Sequence, residues 1–172
     1  AVLRSPHAHA RLLAVRADKA LAMPGVRAVL TAADVQRWSK PFIVGVKAPM
    51  ELWALAVDKV RYVGEPVAVV FAESRYLAED ALELLEADYE SLPPVVDIRA
   101  AIAEGAPVLH EKVGSNVVSD RSFRYGDPEQ AFALAQHRIE LTVEYPRNSC
   151  TPIECAVVVA EFLSDQEGYD VQ

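Results

Sequence analysis

At 172 residues, the chain fits one domain of ordinary size, or one domain and part of a second. Apolar residues make up 52% and charged residues 24%, a balance that excludes a disordered chain. Its 17 Lys and Arg stand against 25 Asp and Glu, a formal net charge of −8 with no basic cluster, which excludes nucleic acid as a partner because phosphate neutralisation supplies most of that affinity.

The first predicted element is a strand over about 11–17, where Leu12, Leu13 and Val15 stand between charged ends. A short helical turn follows from Asp18 to Met23, ended by the breaker Met23-Pro24-Gly25. Val26–Leu30 reads as a second strand, and Thr31 as the N-cap of another short helix. Residues 39–50, with Pro41, Gly45 and Pro49, read as irregular. Lys59–Tyr62 is a strand, and Gly64-Glu65-Pro66 turns the chain into Val67–Ala72. That run is apolar on both alternating faces, as a central, doubly covered strand should be.

Ser74 is placed to cap a helix whose Leu77, Ala81, Leu82 and Leu85 recur at helical spacing. The expected core joins Val67, Val69 and Phe71 to Leu82 and Leu85. Tyr89–Leu92 and Val95–Ile98 read as an extended pair around Pro93-Pro94. Residues 111–122 then form a polar connection between two parts of the chain. Beyond it, Asp127 as N-cap, Pro128 at the first helical position and Gln130 three residues after the cap mark a helix to about Gln136. The alternation of Ile139, Leu141, Val143 and Tyr145 predicts a strand over 137–145 with one face buried. Glu154–Leu163 reads as another strand, followed by a turn and a hairpin partner. The tally is α+β.

Candidate chemistry is sparse. His7 and His9 stand two apart, which on a strand puts both imidazoles on one face, but no third metal ligand is near; they read as a solvated strand entry. Cys150 and Cys155 have half the spacing of a zinc site and no second half, so both read as buried or incidental thiols. His110 and Glu111 are neighbours, which point to opposite faces of a strand, and read as linker. Glu154 stands between apolar neighbours, where a carboxylate must find partners or change its pKa; a structural ion pair or helix-end contact is the reading. There is no phosphate loop, dinucleotide fingerprint, nucleophile elbow or zincin motif. No catalytic, cofactor-binding or metal-binding residue is therefore assigned. No apolar run reaches the ~18 residues of a spanning helix, and two cysteines favour a reducing compartment, taken here as the cytoplasm.

Several blocks carry a family resemblance. Arg4-Ser5-Pro6-His7-Ala8-His9-Ala10-Arg11, followed by Met23 through Asp34, is similar to the opening of the molybdenum-binding large subunit of the xanthine dehydrogenase, aldehyde oxidase and carbon monoxide dehydrogenase family. Val60-Arg61-Tyr62-Val63-Gly64-Glu65-Pro66-Val67-Ala68-Val69-Val70 resembles another early block of that family. Ala78–Ala81, Asp88–Pro93, Gly105–Glu111 and Gly126–Phe132 follow in the expected order. The resemblance implies an α/β-hammerhead domain over 1–110, a linker over 111–122, and the beginning of a molybdopterin-binding domain over 123–172.

It also implies a context. Family members hydroxylate aldehydes, purines or related heterocycles, or oxidise carbon monoxide, with water as oxygen source. Electrons leave a molybdenum cofactor for [2Fe–2S] clusters and usually FAD, often on partner subunits. The family's glycine-phenylalanine-glycine-glycine segment, active-site loop and catalytic glutamate would lie beyond Gln172. Where many members continue Pro-x-Glu with proline and arginine, this chain has Pro152-Ile153-Glu154-Cys155, so the resemblance names no substrate. The chain opens at Ala1 and stops just after the strand-like Tyr169-Asp170-Val171, and the expectation is an inactive scaffolding segment of a longer enzyme, open to self-association. The residues alone leave a second reading, a free-standing α+β binding or assembly module without a redox centre.

Overall fold

The computed structural model describes residues 1–43, 50–145, 151–154, 157–165 and 167–172. The chain divides into two units, residues 1–122 and 123–172. In chain order the first holds β1 (Val2–Arg4), β2 (Ala10–Arg16), α1 (Asp18–Leu21), β3 (Val26–Leu30), α2 (Ala32–Trp38), β4 (Phe42–Ile43), β5 (Glu51–Leu52), β6 (Lys59–Val60), β7 (Pro66–Ala72), α3 (Arg75–Leu82), β8 (Glu86–Ser91) and α4 (Ile98–Ala101). The second holds α5 (Pro128–Leu134), β9 (Ala160–Leu163) and β10 (Gly168–Val171).

Two antiparallel three-stranded sheets frame the first unit. In one, β7 lies between β1 and β3; in the other, β2 lies between β6 and β8. The apolar run of β7 serves both faces, as its sequence predicts. Ala68 and Val70 pack with Ala20, Ala78, Ala81 and Leu85, whereas Val67 joins Ala10, Ala56 and Val60 in a second cluster. The expected core set is corrected accordingly. Phe71 is 49% exposed, Val69 and Leu82 are partly buried, and Val67 does not share a cluster with Leu85. Alternate strand residues face opposite sides, and α3 took the face of Ala68 and Val70, where the small Ala78 and Ala81 permit close approach.

Local chemistry sets the element ends. Asp34 accepts the Thr31 N–H at 2.8 Å at the start of α2, and the Ser74 hydroxyl accepts the Leu77 N–H at 3.3 Å at the start of α3. The expected helix reached Leu85, but α3 stops at Leu82. There the Leu84 and Leu85 N–H groups bond three residues back, to Ala81 and Leu82, in a tightened final turn. The predicted extended stretch Val95–Ile98 forms no strand, and it stops at Asp97, whose backbone is extended. Asp97 accepts the Ala100 N–H at 2.7 Å and opens α4 at Ile98.

Two glycines make turns that other residues would strain. Gly25, at φ +87°, ends the Met23-Pro24-Gly25 turn, and a Cβ there would stand 2.8 Å from Leu77 Cδ1. Gly64, at φ +92°, donates its N–H to Ser5 at 2.8 Å, while Ser5 donates to Glu65 at 2.9 Å. The strand β1, for which the sequence raised no expectation, is thereby anchored beside the 64–66 turn.

In the second unit Asp127 caps α5, accepting the Gln130 N–H at 3.0 Å with Pro128 behind it, as predicted. The helix ends at Leu134, before the expected Gln136. Strands β9 and β10 form a hairpin with Phe162 opposite Tyr169, their rings 5.3 Å apart. The strand expected over 137–145 is not formed, and that expected over 154–163 is confined, among the described residues, to Ala160–Leu163. No described side chain of this unit is buried, so the alternating apolar rows have no surface to lie against. Nowhere among the described residues is a helix long and apolar enough to cross a membrane.

Candidate functional site

A cleft of about 410 Å³ opens in the first unit, lined by β5, the residues around β6, and His110 to Lys112. Its framework is ionic. The Lys59 side chain, only 7% exposed, is paired with the Glu111 carboxylate. Arg61 donates through Nε to the Leu109 carbonyl at 3.1 Å and through a terminal nitrogen to the Lys59 carbonyl at 3.1 Å. Lys112 and Glu51 pair across the opening at 2.8 Å. In the turn after β6, the Glu65 carboxylate accepts the Arg61 N–H at 2.5 Å.

These placements set the electrostatics. Burial pushes the Glu65 carboxyl up, against the pull of its hydrogen bond from the Arg61 backbone. The hydrogen bond from Lys59 holds Glu111 below the usual carboxylate range, and that from Lys112 does the same for Glu51. Burial lowers the His110 imidazole, reinforced by the positive charges of Arg61 and Lys59. Lys59, Arg61 and Lys112 each have a carboxylate or carbonyl partner. The arrangement therefore fixes chain segments to one another. It presents no nucleophile–base pair, and among the described residues no group of three His, Cys, Asp or Glu side chains could hold a metal.

His7 and His9 lie between β1 and β2, not on a strand; the His7 ring packs at a tilt against Tyr89 with ring centres 4.8 Å apart. His9 is buried, with Nδ1 2.8 Å from the Pro93 carbonyl oxygen, which corrects the reading of a solvated entry. His110 and Glu111 lie in a turn, and Glu111 is the counter-charge of a buried lysine. Glu154 is exposed, so its apolar sequence neighbours do not enclose it. Cys150 and Cys155 lie outside the described residues. The sequence reading passed over Lys59, Arg61 and Glu65. One available signal was the pair of cations two residues apart at a strand end, just before the Gly64-Glu65-Pro66 turn.

The fold is thus α+β, built from small antiparallel sheets with short helices, and similar proteins give its class. The sequence model of the aldehyde oxidase and xanthine dehydrogenase a/b hammerhead domain matches residues 1–93, and that of the molybdopterin cofactor-binding domain matches residues 109–172. The chain belongs to the aldehyde oxidase and xanthine dehydrogenase family of molybdopterin-dependent oxidoreductases, with a hammerhead domain followed by molybdopterin-binding sequence. It is 36% identical to the nicotine 6-hydroxylase large subunit of Paenarthrobacter nicotinovorans over 168 residues, 93% of this chain and 20% of that protein. It is 35% identical to the carbon monoxide dehydrogenase large chain of Hydrogenophaga pseudoflava, over 94% of this chain and 22% of that one. The crystal structure of quinoline 2-oxidoreductase from Pseudomonas putida 86 matches with a TM-score of 0.87 at 34% identity, covering 99% of this chain and 22% of that one. The chain spans about a fifth of the length of these relatives.

Proposed function

We propose that these residues serve as the N-terminal scaffolding segment of a molybdenum hydroxylase large subunit. The observation that carries this reading is the collinear order of the two matches, hammerhead sequence first and cofactor-binding sequence second. The whole enzyme would oxidise an aldehyde, a purine or related heterocycle, or carbon monoxide, taking its oxygen from water. A molybdopterin-type cofactor would supply the two-electron chemistry, with [2Fe–2S] clusters and FAD on partner subunits or domains as the electron exit. Relatives named as large subunits and large chains support the multi-subunit part of this reading.

Among the described side chains no group of three candidate ligands converges to hold an iron–sulfur cluster. No catalytic step is drawn through them. Their proposed work is structural, with a hammerhead domain over 1–110, a connection over 111–122, and the opening of the cofactor domain over 123–172. The 172-residue chain alone is inactive in this reading, and its uncovered second unit self-associates. The enzyme would be cytoplasmic.

The test is expression of the complete reading frame with its neighbouring subunit genes. Molybdenum content, the visible spectrum, and reduction of an artificial acceptor by nicotine, quinoline, hypoxanthine, aldehydes or carbon monoxide would then be measured. Stoichiometric molybdenum with turnover of one substrate class supports the proposal. A complete polypeptide that folds, carries no molybdenum and lacks a downstream glycine-rich cofactor segment would overturn it.

A further inference from the structure

We infer that residues 109–116 are a clasp closed by Lys59 and Glu111, so that the opening of the cofactor-domain sequence is held as part of the hammerhead unit. Two boundaries in the chain disagree. Molybdopterin-binding sequence begins at residue 109, yet the first structural unit continues to Ser122. Something in that overlap is anchored.

The side chains show what. An ammonium buried as deeply as that of Lys59 is costly unless paired, and its carboxylate partner is Glu111, 52 residues further on. Arg61, two residues after Lys59, reaches the same segment at the Leu109 carbonyl, 3.1 Å away. Lys112 pairs with Glu51 at 2.8 Å, tying the segment to β5 as well. Asn116 then closes the stretch on itself and on what precedes it. Its Oδ1 accepts the Leu109 N–H at 3.0 Å, and its Nδ2 donates to the carbonyls of Ala101 and Pro107 at 3.0 and 2.9 Å. The Val113 N–H closes a turn on the His110 carbonyl at 2.9 Å.

A connection that only tethers two domains makes few contacts with either. This one is fixed at Leu109, Glu111, Lys112 and Asn116, to partners from three parts of the first unit. The readily cleaved connection therefore begins after Asn116, and Lys59 and Glu111 hold residues 109–116 to the rest of the first unit. The inference concerns the first unit only and stands or falls apart from the catalytic reading.

Trypsin offers a direct test on the full 172-residue chain, because Lys112 lies inside the clasp while Arg121 and Arg124 lie beyond it. Brief digestion followed by mass spectrometry should show cleavage after Arg121 or Arg124 well before cleavage after Lys112. Hydrogen exchange of peptides spanning 109–116 should be at least about tenfold slower than that of peptides spanning 118–125. Glu111→Gln should open Lys112 to trypsin and speed exchange in 109–116 while leaving Val67–Val70 protected. Should that variant fail to fold because it orphans the lysine, Lys59→Met with Glu111→Gln should fold again, having no charge left to orphan. Early cleavage at Lys112 in the parent overturns the clasp. So does unchanged exchange in a folded Glu111→Gln variant, or a double variant that is no better folded than an unfolded single one.

Discussion

Residues 1–122 and 123–172 are written in the same grammar and reach different ends. Both parts contain alternating apolar runs, Asp or Ser helix caps and turn residues between them. In the first, β2 is a seven-residue strand although its alternation is imperfect, because β6 and β8 pair with it on either side. In the second, Ile139, Leu141, Val143 and Tyr145 alternate without a flaw and form no strand; Ile139 is 92% exposed. Alternation specifies which face wants covering. Whether a strand forms depends on a partner edge and a surface to lie against, and every buried side chain among the described residues belongs to the first part.

The sharpest way to break this comparison is to truncate one large apolar side chain to alanine in each part. Leu85 is buried against Val70 and Ala81, so Leu85→Ala should cost about 2–5 kcal/mol in the main cooperative transition of urea unfolding. Phe162, on the exposed hairpin, should tolerate the same change with no movement of that transition. If Phe162→Ala destabilises as much as Leu85→Ala, the second part has a core of its own and the contrast collapses.

Helix caps give a smaller version of that contrast. Ser74→Ala removes the hydroxyl that accepts from Leu77 and should cost about 1 kcal/mol. Asp127→Ala removes an equivalent acceptor from α5. It should lower helical signal by circular dichroism without shifting the main transition, since α5 packs no buried residue. Equal shifts from the two variants would mean that both parts unfold as one.

How much of this was legible in the sequence follows the same line. Caps were legible, because Thr31, Ser74 and Asp127 act within three or four residues of themselves. So was β7, whose apolar run is long enough to demand burial on both sides. The assignment of its faces was not. That Ala68 and Val70, not Phe71, would meet α3 depends on which side of the sheet the helix returns to. The ionic framework of the cleft was hidden for a related reason. Lys59 and Glu111 are 52 residues apart, and nothing local marks a lysine that will be buried or the carboxylate that will meet it. His110 and Glu111 consequently read as linker.

That buried framework has a pH signature. Burial, aided by Arg61 and Lys59, holds the His110 pKa below its ordinary value. The unfolded chain therefore takes up a proton near pH 6.5 that the folded chain resists. Stability should be full above pH 6.5 and decline as pH falls from there toward the lower folded value. His110→Asn should flatten the dependence of Tm on pH just below about pH 6.5. The residue is only partly buried, so the slope should be modest. A parent with no slope in that window, or a variant that keeps it, would show that His110 is solvated like the residues of the second part.

The smallest effect belongs to the exposed ladder on β2 and β8, where the first part most resembles the second in its contact with water. Arg16 donates to Glu86 at 3.0 Å and also grips Asp88, while Lys19 reaches Glu86 at 2.5 Å. The hydrogen bond from Arg16 holds Asp88 below its usual range, and those from Lys19 and Arg16 do the same for Glu86. Carboxylates lowered in the folded state add stability above their unfolded values near pH 4, and that contribution is lost as pH falls through the folded values. This acid window opens near about pH 4, below the pH of about 6.5 at which that of His110 opens. Exposed pairs are weak and screened by salt. Arg16→Ala should therefore cost little at pH 7, with most of that cost gone at about 0.5 M salt and again once the pH has fallen through the lowered carboxylate values. A loss as large as that of Leu85→Ala, or one indifferent to salt, would mean that the ladder is part of the core and not its solvated edge.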